Sequence, residues 1–463
     1  MVGDSCDHRA MATQDTLFPG LPEPEGKVAE EVPPAQPRIL EPQRDQLELR
    51  AVDLESTLEA QHPARSVWAL VEGMDLSSLY AGIGSVEGGA GRPAIDPRIL
   101  MALWLYATID GVGSARRLAR LCEQHDAYRW ICGGVSVNYH TLSDFRVGHV
   151  ELLDEQLSRG VAVLMHQGLV GLKRVAQDGM RVRASAGAAS FRRHGSLKRC
   201  LKQARSQVRR LRREAEQDPG EATRGEQATR VRAAEERTRR VGEALEELEA
   251  IARAPRKKRA QKPTESDEEH AKRTEPRASS TDPQARVMKM PDGGFRPAYN
   301  VQFSTDTDSQ VIVGVEVINR GTDNGQLGAM LEQLAGRYER LPEEALVDGD
   351  YVNVNDFDEA YARGVTVYAP VSKPKVAGRD PHVPCRGDSP AVAEWRVRMG
   401  SEQAREIYRE RAATAECVNA IARQRGLLRF VVRGRRKTRA VALWHALAHN
   451  LMRAVALGAL APA

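Results

Sequence analysis

The sequence lacks the cysteine and histidine spacings of a zinc site. Its six cysteines lie far apart, with no Cys-x-x-Cys pair and no histidine cluster at metal-ligand spacing. We therefore expect reduced thiols, as in a cytosol, and no structural zinc. The cysteines are Cys6, Cys122, Cys132, Cys200, Cys385 and Cys417.

Long apolar runs are also missing. No stretch offers the roughly 18 uncharged apolar residues that a membrane-spanning helix needs. Residues 1–20 lack a basic segment followed by an apolar core, so we expect no secretory signal. The last apolar candidate, residues 441–463, contains Arg453 and two histidines and is predicted to be a C-terminal amphipathic helix. These absences predict a cytoplasmic protein with no membrane partner.

Neither sign of charge is in large excess. The 68 Lys+Arg against 63 Asp+Glu give a formal net charge of +5, which permits binding to a polyanion without requiring it. The charges are unevenly placed, so local basic stretches matter more than the sum. At 463 residues the chain is long enough for two or three domains and for an enzyme.

The first part of the chain is predicted to be a disordered arm followed by a helical region. Residues 1–45 are rich in Pro and Glu, whereas residues 46–170 have helical periodicity, with helix starts near Asp96 and Ser114. Two short helices with a Gly-containing turn suggest a helix-turn-helix DNA-binding domain. Three arginines of its second helix could meet DNA, although a solvated basic face explains them more simply when they are taken alone. These are Arg116, Arg117 and Arg120.

The stretch "YHTLSDF" contains residue types that occur in catalytic sites, namely His140 and Asp144. Thr141 and Asp144 stand three residues apart, as the two members of a helix capping box do. We therefore predict a helix start at this position and no catalytic role.

The rest of the chain alternates strands and helices. Strand patterns occur at residues 172–184, 299–304 and 311–318, and short apolar strands follow at "EALVDGDY" and "VTVYAPV". We therefore predict a mixed α/β core from residues 171–195 and 283–440.

An insertion, residues 196–282, divides this core. It begins with two charged helical patterns separated by "DPG", which predict a helical hairpin or helices that pair with another subunit. A basic stretch without periodicity follows. This composition predicts a flexible linker. The linker could contact a nucleic-acid backbone or, equally well, be solvated without a partner.

Three acidic residues stand at informative places in this core. Asp178 and Asp348 each follow a short apolar strand, and Glu416 lies in a long helical pattern. Along that pattern Tyr408, Glu416 and Arg423 fall on one stripe, beside an apolar face formed by residues 417, 420 and 421. Magnesium prefers oxygen ligands, so three converging carboxylates could hold it beside a phosphate.

Several motifs, in this order, resemble those of the DDE transposases of bacterial insertion sequences. "AQDGMRVRASA" is similar to the first-aspartate motif of that family, and "LVDGDY" is similar to the second. "YRERAATAECVNAIARQRGLLRF" resembles the tyrosine, arginine, glutamate and lysine signature that carries the third acid. The helical stretch that ends in "NYHTLSDFRVGH" resembles the N-terminal DNA-binding region of the family.

The resemblance implies a ribonuclease H-like fold and a set of site residues. Asp178, Asp348 and Glu416 would be the catalytic acids and metal ligands for Mg²⁺ or Mn²⁺, with two ions. Tyr408, Arg411 and Arg423 would support them. The chain departs from the family pattern at Met180 and Arg181 (usually Thr and Lys), at Arg423 (usually Lys) and at Asp350, where glycine is usual. Asp348 is preferred to Asp350 as the ligand because Tyr351 then keeps its place in the motif.

The implied function is cleavage of DNA at the terminal inverted repeats of an insertion sequence and transfer of the freed 3′ end into target DNA. The implied protein is bacterial, nucleoid-associated and dimeric on double-stranded DNA. Between Arg423 and Arg439 the chain has eight basic residues and no acid, which fits phosphate contacts, with a solvated basic loop as the alternative. The expected DNA contacts there are Arg433, Arg435, Arg436 and Lys437.

Three alternatives stay open on the sequence. The first is a nuclease of the same fold that cuts without joining. The second is a non-catalytic DNA-binding descendant of a transposase, against which the three intact acids argue. The third is a scaffold built around the helical hairpin, which leaves the acids unexplained.

Overall fold

The computed structural model describes residues 51, 53–85, 93–217, 224–254, 265–373 and 378–460. The predicted arm, residues 1–45, and the "DPG" break therefore lie outside the described residues. Residues Val52–Ala463 form one compact unit. Within the described residues, no helix is both long enough and apolar enough to cross a membrane.

The N-terminal part is helical, as predicted. Asp96 accepts a hydrogen bond from Arg98 N, and Ser114 accepts one from Arg117 N, so both predicted helix starts are confirmed. The predicted capping box is wrong, because Asn138 caps that helix and accepts a hydrogen bond from Thr141 N. The helices are α1 (Pro63–Glu72), α2 (Ser77–Ala81), α3 (Pro97–Ile109), α4 (Ala115–Gln124), α5 (Asp126–Cys132), α6 (Tyr139–Gly148) and α7 (Val150–His166).

A six-stranded mixed sheet forms the centre of the molecule, in the order β4-β5-β1-β7-β8, with β6 also paired to β5. β5 pairs antiparallel with β1, β4 and β6, whereas β7 pairs parallel with β1 and β8. A separate pair is formed by β2 and β3. The strands are β1 (Arg174–Arg183), β2 (Phe191–Arg192), β3 (Ala278–Ser279), β4 (Arg286–Lys289), β5 (Phe295–Asp306), β6 (Ile312–Ile318), β7 (Glu344–Leu346) and β8 (Thr366–Tyr368).

The two faces of β1 differ in polarity, because successive side chains of a strand point to opposite faces. Asp178, Met180 and Val182 share one face, and Met180 and Val182 belong to the main apolar core. Gln177 lies on the other face, where its amide donates a hydrogen bond to Gln302. Asp178 is thus a carboxylate between apolar neighbours of this face, with Ala176 on one side and Met180 on the other.

The insertion contains the predicted antiparallel hairpin, formed by α8 (His194–Gln217) and α9 (Arg224–Arg253), which pack against each other. Its base has a small apolar core that includes Leu197, Val241 and Ala278. The link after the hairpin was predicted to be irregular, and this is wrong for its second half. There Ser266 and Glu269 form a capping box that starts α10 (Asp267–Thr274).

Helices complete the C-terminal part. They are α11 (Leu327–Tyr338), α12 (Val354–Ala362), α13 (Pro390–Met399), α14 (Glu402–Arg411), α15 (Cys417–Gln424) and α16 (Arg435–Ala456). A π-helical segment, Ala412–Glu416, joins α14 to α15.

Helix α16 differs from the predicted C-terminal helix of residues 441–463. It begins six residues earlier, at Arg435, so three of the expected basic-loop residues lie in its first turn. Its middle, from Ala440 to Leu451, is buried, because it packs against β6 and against α3, α6 and α7. A helix that is apolar on most sides is a core helix, which the amphipathic interpretation missed.

Candidate active site

Asp178 lies in the interior of β1, so the prediction that it closes a strand is wrong. It is paired with Phe303 of β5, and the ladder continues for five residues beyond it. Its side chain is 19% exposed. One carboxylate oxygen accepts a hydrogen bond from Gly179 N at 2.9 Å, and the other accepts one from Asn419 Nδ2 at 2.9 Å. Asn419 of α15 therefore fixes the orientation of this carboxylate.

Asp348 lies just beyond a strand end, as predicted. β7 ends at Leu346, which is paired in parallel with Ala176 of β1, and this pairing brings the second acid toward the first. Asp348 caps the short turn Gly349–Tyr351, where its Oδ1 accepts a hydrogen bond from Asp350 N at 2.9 Å. Its side chain is half-buried.

Asp350, the competing acid, points elsewhere. Its side chain is 68% exposed, and its Oδ2 lies 3.9 Å from Arg181 NH2. Tyr351 is fully buried and donates a hydrogen bond to Gln302 Oε1. Asp348 lies close enough to Asp178 and Arg411 for its charge to act on both.

Glu416 ends the π-helical segment, which packs against β1 and β5. Its side chain is 62% exposed and lies 3.5 Å from Arg411 NH2. The apolar face predicted beside it is wrong, since Ala420 is exposed and the buried residues are Val418, Asn419 and Ala422. A π turn contains one residue more than an α turn, which rotates every later side chain around the helix axis.

Arg411 is the residue that links the acids. Its side chain is 14% exposed, and its NH1 lies 3.9 Å from Asp178 Oδ1. The guanidinium also lies 5.8 Å from the ring centre of Tyr408, and NH1 has no hydrogen-bond partner among the described residues. One cation therefore faces Asp178 and Glu416 together, and the positive charge of Arg411 also acts on Asp348.

The pKa values of two of the acids are raised, and burial is the main cause. Burial raises the pKa of Asp178 to about 6; Arg411 opposes this shift, and the charge of Asp348 adds to it. Burial also raises the pKa of Asp348, with added repulsion from Asp323 and Asp350. Carboxylates in such surroundings gain stability from a bound cation.

The donor chemistry of the site fits a hard divalent cation, since all its candidate ligands are oxygens. Asn419 Oδ1 is buried beside Asp178 and has no hydrogen-bond partner among the described residues. In the part of the chain that the structure describes, however, no three His, Cys, Asp or Glu side chains are close enough to enclose a metal ion. Arg411 contacts two of the three acids instead.

A fourth acid behind β1 was missed by the sequence reasoning. Asp323 is buried, and its Oδ1 accepts hydrogen bonds from Asn300 Nδ2 and Gln302 Nε2, both at 2.6 Å. A Cβ at Gly179 would come within 2.2 Å of that same oxygen. The glycine after Asp178 was the available signal, because a glycine inside a strand often marks a close approach.

The remaining predicted site residues lie at different depths. Tyr408 is half-buried, and burial raises its pKa. Arg423 is exposed on α15 and makes no ion pair with a described residue. The structure therefore brings Tyr408 and Arg411 to the acids and leaves Arg423 on the surface.

Two exposed groups of basic residues were predicted to contact DNA. Arg116, Arg117 and Arg120 are exposed on α4, and Arg116 stacks on Tyr139. The second group surrounds the start of α16, where cations oppose the helix dipole. Of its members, Arg436 forms an ion pair with Glu151 at 2.6 Å. Its members, all exposed, are Arg433, Arg435, Arg436 and Lys437.

Two family models match this chain. One, described as a Transposase domain (DUF772), matches residues 52–147, which include the α4 arginines. The other, described as a Transposase DDE domain, matches residues 382–455, which include Arg411 and Glu416. No curated protein and no solved structure gives a significant match.

Proposed function

The chain is an insertion-sequence DDE transposase, and we propose that Asp178, Asp348 and Glu416 are its catalytic acids. As a DDE transposase it cleaves DNA and transfers strands, and this family depends on divalent metal ions. The observation that carries the assignment is Arg411, whose guanidinium faces Asp178 and Glu416 and whose charge acts on Asp348.

In this proposal the three acids hold Mg²⁺ or Mn²⁺, at two sites. When bound, such ions activate an attacking oxygen and stabilise the leaving oxygen of an in-line displacement at phosphorus. Asn419 holds the Asp178 carboxylate in one orientation. Arg411 binds a DNA phosphate or orients Glu416, and the ring of Tyr408 packs against the Arg411 guanidinium. Arg423 is exposed and is available to bind a further phosphate.

The reaction then has two displacements. Hydrolysis breaks a phosphodiester bond at the end of the element and leaves a 3′-hydroxyl. In the second displacement this hydroxyl attacks a phosphorus of target DNA, and a new P–O bond forms as one P–O bond of the target strand breaks. Both reactions would take place at the same site, because the same three carboxylates would hold the metal ions in each displacement.

The proposal extends to the fold. We assign the mixed sheet to a ribonuclease H-like core formed by residues 171–195 and 283–440, with residues 196–282 as the insertion and 441–463 as the C-terminal helix. Parallel pairing of β1 with β7 and packing of the π segment on β1 support this, because the elements that carry Asp178, Asp348 and Glu416 are then neighbours. Residues 46–170 would be the helix-turn-helix domain, with α3 and α4 as its helices.

DNA binding is expected of a transposase, and the two exposed basic groups are the proposed contacts. The arginines of α4 and the residues 433–437 would bind the phosphates of terminal repeats and target DNA. Because the reaction joins two element ends to one target, we propose a homodimer on DNA.

The test is cleavage of duplex DNA that carries the terminal inverted repeats of the element, with Mg²⁺ or Mn²⁺ present. Asp348→Asn should reduce nicking by more than the roughly 10- to 100-fold that loss of an outer-shell residue costs at a metal site. The matched control is Asp350→Asn, two residues away in the same motif, which should retain most of the activity. Binding to the same DNA without metal, measured for both variants, separates loss of chemistry from misfolding. Equal nicking by the wild type and Asp348→Asn would reject the assignment.

A further inference from the structure

Helix α8 begins with a stretch of strongly basic sequence. From residue 194 to residue 213 it contains eight Lys and Arg and no acid. Five of these cations recur at alternating spacings of four and three residues, which places them along one face of the helix. We call this face the α8 stripe; its members are Lys198, Lys202, Arg205, Arg209 and Arg212.

The α8 stripe lines an open groove of about 910 Å³ along the hairpin. All five side chains are exposed, and Leu201 and Val208 form part of the groove floor. The stripe is about 21 Å long at about 1.5 Å per helical residue. That length corresponds to about six base pairs at a rise of about 3.4 Å per nucleotide of one strand.

The ion pairing of the stripe differs from that of the facing helix. Of the stripe residues, Arg212 pairs with Glu235, whereas the other four form no ion pair with any described residue. On α9, Arg239 pairs with both Glu236 and Glu243. Like charges at such helical spacings destabilise a helix by about 0.2–0.5 kcal/mol per pair, so the row of unpaired cations does not stabilise the hairpin.

The hairpin is fixed to the body of the enzyme at its base. Arg286 of β4 pairs with Glu247 of α9 at 2.5 Å, and Ala278 of β3 joins the apolar core of the hairpin. The stripe is therefore held in a defined direction relative to the sheet.

The groove continues toward a basic segment that the proposed function already assigns to DNA. Arg239 lines the groove and also a second cleft of about 810 Å³. That cleft lies between α9, α6 and residues 431–437. Its basic lining residues at the 431–437 side are Arg433, Arg436 and Lys437, whereas the α9 and α6 sides also contribute acids, namely Asp144, Glu236, Glu243, Glu246 and Glu247. Arg239 thus borders both the groove of the α8 stripe and the cleft that contains the basic residues 433–437.

We propose that the α8 stripe binds the phosphate backbone of double-stranded DNA, as an extension of the surface at residues 433–437. The inference rests on the DNA binding expected of a transposase and not on the assignment of the three acids. Exposed Lys and Arg without acidic partners neutralise phosphates and release counterions, which makes affinity depend steeply on salt. Such contacts position DNA without reading its sequence.

The test compares two triple variants of the full-length protein. Lys202→Ala/Arg205→Ala/Arg209→Ala removes the middle of the stripe. Arg199→Ala/Arg210→Ala/Arg213→Ala removes three exposed cations from the same helix outside the stripe, so both variants lose the same charge. Alanine has the highest helix propensity, so α8 is expected to stay helical in both.

Affinity for a 30-base-pair duplex of arbitrary sequence is measured over a range of salt concentrations. For the stripe variant, the slope of log affinity against log salt should become shallower by about 2–3, at about 0.9 per lost phosphate contact. For the control variant it should change by less than about 1. Equal changes in the two variants would mean a general effect of net charge and would overturn the proposal, as would no change in either.

A second measurement needs no stripe variant. DNA should protect Lys198 and Lys202 of the wild type from acetylation at least about as well as it protects Lys437; unprotected stripe lysines would reject the contact. Asp348→Asn should show the same protection, since it alters only the proposed metal site. The two failures are distinguishable. If the metal-site assignment is wrong, Asp348→Asn still cleaves DNA. If the stripe proposal is wrong, the salt slopes of the two triple variants do not differ or the stripe lysines stay unprotected, whatever the cleavage activity of Asp348→Asn.

Discussion

At the scale of single residues, Gly179 is the position where space is tightest around the first acid. A Cβ there would lie 2.2 Å from Asp323 Oδ1 and 2.5 Å from Gln302 Nε2. Both atoms belong to a buried network in which the Asp323 carboxylate accepts two hydrogen bonds, so neither can move freely. Glycine is required here by the neighbouring carboxylate and not by its own backbone angles.

Gly179→Ala should therefore lower the free energy of unfolding by about 1–3 kcal/mol, the usual cost of overpacking, and reduce cleavage because β1 carries Asp178. Thermal or denaturant unfolding measures the first effect. The matched control is Gly187→Ala, at an exposed glycine with φ −92° and no atom within 4 Å of the added Cβ. If both variants were as stable as the wild type, the close packing over Gly179 would be disproved.

At the scale of elements, α16 carries two histidines into the core. Burial lowers the pKa of His445 to about 3 and that of His449 to about 4. His449 Nε2 donates to the carbonyl oxygen of Gln310 at 2.9 Å, which fits a neutral ring protonated at that nitrogen. Both rings are therefore neutral in the folded protein above these values.

This difference predicts acid sensitivity. Below the ordinary histidine pKa of 6.5, the unfolded chain takes up protons that the folded chain excludes, so the free energy of unfolding falls as the pH decreases from 6.5 toward 4. His449→Gln, which can still donate to Gln310, should reduce that slope by up to about 1.4 kcal/mol per pH unit. Denaturant unfolding between pH 7 and pH 4 measures the slope.

The control for this prediction is His166→Gln, at an exposed histidine near the end of α7. It should leave the pH slope of the wild type unchanged. A slope for His449→Gln equal to that of the wild type would show that His449 does not remain neutral in the folded state.

At the scale of the whole molecule, the helical region and the sheet share one apolar core. This core includes Leu103 of α3, Val301 of β5 and Leu443 of α16, all fully buried. Trp444 Nε1 of α16 also donates a hydrogen bond to Arg146 O of α6 at 2.9 Å. The regions that the sequence separates at residue 170 are therefore expected to unfold together.

Leu443→Ala should lower the free energy of unfolding by about 2–5 kcal/mol, because it opens a cavity in this shared core. The unfolding midpoint measured by circular dichroism should equal the midpoint measured by tryptophan fluorescence, both in the wild type and in Leu443→Ala. The common midpoint should be lower in Leu443→Ala. Leu428→Ala is the matched control, since Leu428 is 59% exposed while Leu443 is 0% exposed. Two separate transitions in the wild type would contradict a single cooperative core.

The sequence by itself determined the elements whose signals are local. Helix caps at Asp96 and Ser114, the strand patterns and the helical hairpin depend on neighbouring residues, and the structure confirms them. The resemblance of short motifs to those of DDE transposases also agrees with the two family-model matches, which cover residues 52–147 and 382–455.

Only the tertiary structure decided the features that depend on distant contacts. Asp178 proved to be inside a strand because β5 continues the ladder past it, and Gly179 is explained by Asp323, 144 positions further along the chain. The π turn shifted the buried face of the helix that carries Glu416, and packing on all sides made α16 a core helix. Periodicity shows which face of an element is apolar, but burial and close approach depend on what other segments bring to it.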